Sequence, residues 1–186
     1  MKKSKFYCVC VVLLACVLSL GLTSCGGNDD DNGSSDKAIK NVVASMSYTF
    51  SADLLSIADV TVTYLDASGT AQTETVKSTT WSKTVTYTSF PATAGAKVTV
   101  KRNSTTLSKE KYDLTCNPSI SLISYDESGA DKDHKSYNTG FSFIGVKTAS
   151  VESILSSRLN SFGFHTGMTL SSDKSSVTFT DLTGNI

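Results

Sequence analysis

VTVTYLDASGTAQTETV, Val60 to Val76, alternates twice with one break between. Val60, Val62 and Tyr64 share one parity and Thr61 and Thr63 the other. Successive strand side chains point to opposite faces, so the run predicts a strand with an apolar side and a hydroxyl side. Asp66-Ala-Ser-Gly69 then brings together aspartate, serine and glycine, the residues tight turns favour. The second alternation, Thr73 to Val76, reads as the returning partner of a hairpin.

The same pattern extends in both directions. Val42, Ala44, Met46, Tyr48 and Phe50 alternate with mostly polar partners, and Trp81, Val85 and Tyr87 stand opposite Thr84 and Thr86. Lys97 to Lys101, Ile120 to Tyr125, Phe141 to Val146 and Val177 to Thr180 continue it. An apolar face backed by a hydroxyl-rich face is the signature of antiparallel sheets with a solvated side; the parallel strands of α/β enzymes are buried on both faces. Pro91 and Gly95 break the chain before the Lys97 strand, and Asp126-Glu-Ser-Gly129 ends another run. One helix interrupts the series, with Val151, Ile154, Leu155, Leu159 and Phe162 on one face, Glu152 in its first turn and Gly163 as its stop. Thr-Val-Thr recurs near residues 61, 84 and 99 at unequal intervals, which reflects shared strand chemistry and not a repeat. The expected fold is mainly β: an antiparallel β-sandwich, immunoglobulin-like in broad architecture, with one helix towards the C-terminus. A lipocalin-like β-barrel is the alternative.

Upstream the chain changes character. Lys2, Lys3 and Lys5 precede an apolar run from Phe6 to Leu22, shorter than the roughly 20 residues a spanning helix needs and laid out as a signal peptide. Leu22-Thr23-Ser24-Cys25 then resembles the lipobox of bacterial lipoproteins. That resemblance implies a diacylglyceryl group on the Cys25 thiol, cleavage before Cys25 and acylation of the new amino terminus. It divides the chain into a signal peptide, 1–24, a lipidated cysteine with its tether, 25–36, and one β-rich domain, 37–186. The stretch GGNDDDNGSSD, Gly26 to Asp36, contains no apolar residue; as a flexible coil it would span about 18 Å. Asp29, Asp30 and Asp31 resemble the export signal that carries lipoproteins of the Bacteroidota to the outer face of the outer membrane. The plainer reading of that run is a solvated linker on a protein kept in the periplasm.

Charge and residue supply narrow the chemistry. The chain has 17 basic and 17 acidic residues; from Lys37 onward 14 bases face 13 acids, too even a balance to attract nucleic acid. Beyond Cys25 the only cysteine is Cys116, which excludes an intrachain disulfide framework and cysteine-ligated zinc. Cys116 lies in Leu-Thr-Cys-Asn-Pro, which matches no nucleophile motif and reads as a small buried residue at a strand end. His134 and His165 are the only histidines. Asp131-Lys-Asp133-His134 reads as a polar loop near Asp126 and Glu127, with carboxylates calcium would use but without the glycine and distal glutamate of a calcium loop. His165, between Phe164 and Thr166, reads as a packing or hydrogen-bonding residue. Neither a glycine-rich phosphate loop nor G-x-S-x-G occurs. Trp81, on the parity of Tyr87, reads as the centre of a sandwich core in preference to a platform for sugar.

Anchor, spacer and sandwich together resemble small lipoproteins of the Bacteroidota with immunoglobulin-like domains. The expectation is a surface binding or adhesion module, joined to the membrane by its N-terminal lipid, with a glycan or protein ligand. No catalytic residue, metal ligand or cofactor is expected. A structural subunit of an envelope or pilus-like complex, pairing through an exposed edge strand, is the alternative. A glycoside hydrolase using only carboxylates, drawn from Asp113, Asp126, Glu127, Asp131 and Asp133, comes last.

Overall fold

The computed structural model describes residues 37–158, 162–183 and 186. They form two open antiparallel sheets packed face to face. The first contains β1 (Ile39–Phe50), β4 (Thr80–Tyr87), β6 (Lys111–Asp126), β7 (Asp131–Tyr137) and β8 (Phe141–Lys147), ordered β4-β1-β6-β7 with β8 also on β6. The second is ordered β10-β9-β5-β2-β3, from β2 (Ala58–Leu65), β3 (Ala71–Thr75), β5 (Ala92–Arg102), β9 (Phe162–Leu170) and β10 (Val177–Asp181). Each sheet keeps its own hydrogen-bonded ladders, so no barrel closes.

Alternation produces this arrangement directly. Val42, Ala44, Met46, Tyr48 and Phe50 of β1 are buried against Val60, Val62 and Tyr64 of β2 and their neighbours in one continuous core. Trp81 is in that core, its ring 5.8 Å from Tyr48 and 5.9 Å from Tyr64, centroid to centroid. The quoted hairpin closes as expected, with Tyr64 opposite Gln72 and Thr63 opposite Thr73.

Its turn has a twin. Asp66 N–H donates to Thr70 O at 3.0 Å while Asp66 Oδ1 accepts from the N–H groups of Ser68 and Thr70. Asp126 does the same with Ala130 and Ser128. D-x-S-G is therefore one device used twice.

Strands β7 and β8 are two halves of one edge strand. Tyr137 faces Ile120 and Phe141 faces Cys116, four residues apart on both sides, so the register carries across the gap. The ladder breaks at Asn138–Gly140 because the opposing stretch contains Pro118, which has no N–H to donate. Gly140 permits the close passage: a Cβ there would lie 2.3 Å from Cys116 O and 2.6 Å from Pro118 Cδ.

Several sequence expectations change. Asp131 to His134 is strand, not loop, because it pairs with β6 from Tyr125 to Ile123. Cys116 sits inside β6 and not at a strand end. The C-terminal helix, α2 (Thr148–Arg158), stops before Phe162, which with Gly163 belongs to β9 and pairs with Val98 and Lys97; Leu159 is outside the described residues. A short helix also stands between β1 and β2, α1 (Ala52–Ile57).

Helix α1 finishes a sheet edge. Beyond Phe50, β1 no longer covers β6, and two side chains of the helix start take its place. Ser51 Oγ accepts from Leu54 N–H at 3.3 Å as the helix cap, accepts from Thr115 N–H at 3.1 Å and donates to Asp113 O at 2.6 Å. Asp53 Oδ2 accepts from Asp113 N–H at 2.9 Å. Backbone groups that would face solvent as an open edge are thereby occupied.

Candidate functional site

Cys25, Asp29, Asp30 and Asp31 lie outside the described residues. The acids considered for chemistry do not converge. Asp113 and Asp126 stand near opposite ends of the 16-residue β6, about 40 Å apart at strand rise, far beyond the spacing of a glycosidase pair. Asp126 is buried in its turn and held below the usual carboxylate range by the Ser128 hydroxyl first, with the Ala130 and Ser128 N–H groups and Lys132 adding to it. Asp133 Oδ2 accepts from Val177 N–H at 2.7 Å and from Ser124 Oγ at 3.3 Å. Glu127 and Asp131 are exposed. Among the described residues no three His, Cys, Asp or Glu side chains gather as a metal site would require.

The nucleophile candidate is likewise placed for packing. Cys116 is fully buried and burial pushes its thiol upward, so the reactive thiolate is disfavoured. His134 and His165 share the outward parity of their strands, opposite Ile123 and Gly95 respectively, while Cys116 faces the core. The three cannot meet.

Acidic side chains instead stitch the lateral edges of the sandwich. On one side Glu74, from β3, accepts from Trp81 Nε1 at 2.8 Å, Lys83 Nζ at 2.8 Å and Tyr64 OH at 3.2 Å, joining the two sheets. On the other, Asp133 reaches β10 as above, Lys135 Nζ meets Asp181 Oδ1 at 2.6 Å, and Tyr137 OH bonds both Asp181 and Thr166 Oγ1. Charged side chains turned inward at edge strands also discourage a further strand from adding. Trp81 is thus a core residue with a polar tie.

Two open hollows occupy the end where the described chain begins. The larger, about 700 Å³, is edged by Ser68, Ser89, Pro91, Thr93, His165 and Ile186. The other, about 380 Å³, lies across Pro91 and includes Ile39 and Lys174. Ile39 N–H donates to Lys174 O at 2.8 Å and Glu127 N–H to Ala38 O at 3.1 Å, which fixes residues 37–39 at this end. Hydroxyls and one imidazole at a shallow opening can hydrogen-bond a polar group, but they supply no acid–base pair. The His165 Nδ1 atom is buried and has no hydrogen-bond partner among the described residues.

Sequence reading missed a feature at the far end. Tyr112 pairs with Val146 and Leu114 with Phe143, so Ile144 and Gly145 together oppose Asp113 in a β-bulge. Gly145 has φ 66°, a conformation glycine takes readily, and its N–H donates to Asp113 Oδ1 at 2.8 Å. The bulge leaves Ile144 68% exposed. A glycine inside an otherwise apolar strand is the signal that pointed there.

The chain matches none of the known protein families and none of the characterised proteins with which it was compared.

Proposed function

We propose that this protein is a lipid-anchored binding module of a bacterial outer membrane, displayed on the cell surface. The observation that carries the reading is Leu22-Thr23-Ser24-Cys25, a lipobox-like junction placed between a basic-then-apolar leader and 11 residues without an apolar side chain. Two or more acyl chains, each buried methylene contributing about 0.8 kcal/mol, hold a protein stably to a bilayer without a spanning helix. No helix among the described residues is long and apolar enough to cross a membrane. The sandwich supports the reading through its build: Asp66 and Asp126 are committed to turns and Glu74, Asp133 and Asp181 to edge ties, which suits a rigid displayed scaffold. The reading as an assembly subunit draws no support from the lateral edges, where Glu74, Lys83, Lys135 and Asp181 bridge the sheets.

Protease treatment of intact host cells tests it. The domain is expected to be cleaved in the parent and protected when Asp29, Asp30 and Asp31 are replaced by alanine. Protection of the parent in intact cells, with cleavage only after the outer membrane is opened, would contradict surface display.

A further inference from the structure

We propose that the β6–β8 corner is a docking surface for an acidic segment of a partner protein that carries a branched apolar side chain. The inference rests on the reading of the protein as a binding module and names the class of its partner. Three local features coincide there. The first is the bulge itself, which turns Ile144 out at 68% exposure; Leu182, at 39%, is the only other large hydrophobic exposed among the described residues. The second is charge. Lys111 and Lys147 stand directly opposite each other across the β6–β8 ladder, both exposed, and like charges in that position repel.

The third is the missing compensation. Lys83, Arg102, Lys109 and Lys135 each have a carboxylate oxygen within 3.0 Å. Neither Lys111 nor Lys147 forms an ion pair among the described residues; Asp113, the acid next along the same face, accepts from the Gly145 N–H through Oδ1 and keeps its charge. An apolar knob beside two ammonium groups that form no ion pair is complementary to carboxylates flanking an aliphatic side chain. The corner also lies at the end opposite residues 37–39, as the antiparallel course of β1 and β6 requires.

The test uses the purified full chain in a neutral detergent and two fluorescein-labelled peptide probes, EEELEEE and EEEAEEE, followed by fluorescence anisotropy. The leucine probe is expected to bind, and the alanine probe to bind at least tenfold more weakly. Ile144→Ser is expected to erase the difference between them. The double variant Lys111→Glu with Lys147→Glu is expected to lose at least tenfold in affinity for EEELEEE and to bind KKKLKKK in its place, a charge-swapped rescue that a misfolded variant cannot give. No binding of EEELEEE to the parent, unchanged binding in the double variant, or displacement of the probe by phosphatidylglycerol vesicles would each overturn the proposal. Because the readout is in solution, its failure leaves surface display standing, and loss of surface display leaves the peptide result standing.

Discussion

Glu74 shows how single residues close this sandwich: one carboxylate receives donors from β2 and β4, strands of opposite sheets. Trp81→Phe keeps most of the ring volume and removes one of those donors. With the Glu74 side chain 39% exposed, the charged hydrogen bond is partly screened, and the expected loss is about 1 kcal/mol in urea unfolding. Gly140→Ala sets a Cβ against the Cys116 carbonyl, where backbone and not a flexible side chain must give way; about 1–3 kcal/mol of destabilisation is expected.

Aspartates in the turns set the acid limit. Asp66 is lowered to about 2, chiefly by the Ser68 hydroxyl and then the Gln72 amide, and Asp173 to about 2, chiefly by the Ser171 hydroxyl. A carboxyl whose folded value lies below its unfolded one stabilises the native state above the unfolded value, and that contribution fades as pH falls through the folded value. The melting temperature is therefore expected to hold down to about pH 4 and to drop between about pH 4 and pH 2. Asp66→Asn should flatten part of that drop; an identical pH profile in the variant would refute the assignment.

Among elements, α1 carries the most structure for its length. Ser51→Ala removes a helix cap and two contacts to β6 at once, and about 1–2 kcal/mol is expected, with faster amide exchange at Thr115. Unchanged exchange there would show that Ser51 does not seal the edge. Nothing in ADLLSI announces this helix, because 6 residues are too few for a periodicity to declare itself. Polar β7 was equally hidden: an edge strand with Asp133 and Lys135 facing inward has the composition of a loop, and only pairing with β6 makes it a strand. Phe162 sat at helical spacing by coincidence. Long, alternating β1 and β2, by contrast, were legible because period two has one structural solution when one face is apolar, whereas β5 runs from Ala92 through Gly95, which pairs with His165 and does not break the chain.

For the whole molecule, alternation revealed two layers with a solvated side, while the ends depended on register. Sequence order does not show that Asp113 and Asp126 stand at opposite ends of β6, or that Ile144, Lys111 and Lys147 share a corner. Both facts follow from cross-strand pairing over long separations. The account that results is a rigid sandwich with Ile144, Lys111 and Lys147 at the end opposite residues 37–39. The anchor is its central claim, and mass spectrometry of the N-terminal peptide from protein purified from its own host tests it most directly. The account predicts a peptide beginning at Cys25 that carries a diacylglyceryl group and an amide-linked acyl chain. A peptide beginning at any other residue, or an unmodified Cys25, would contradict it.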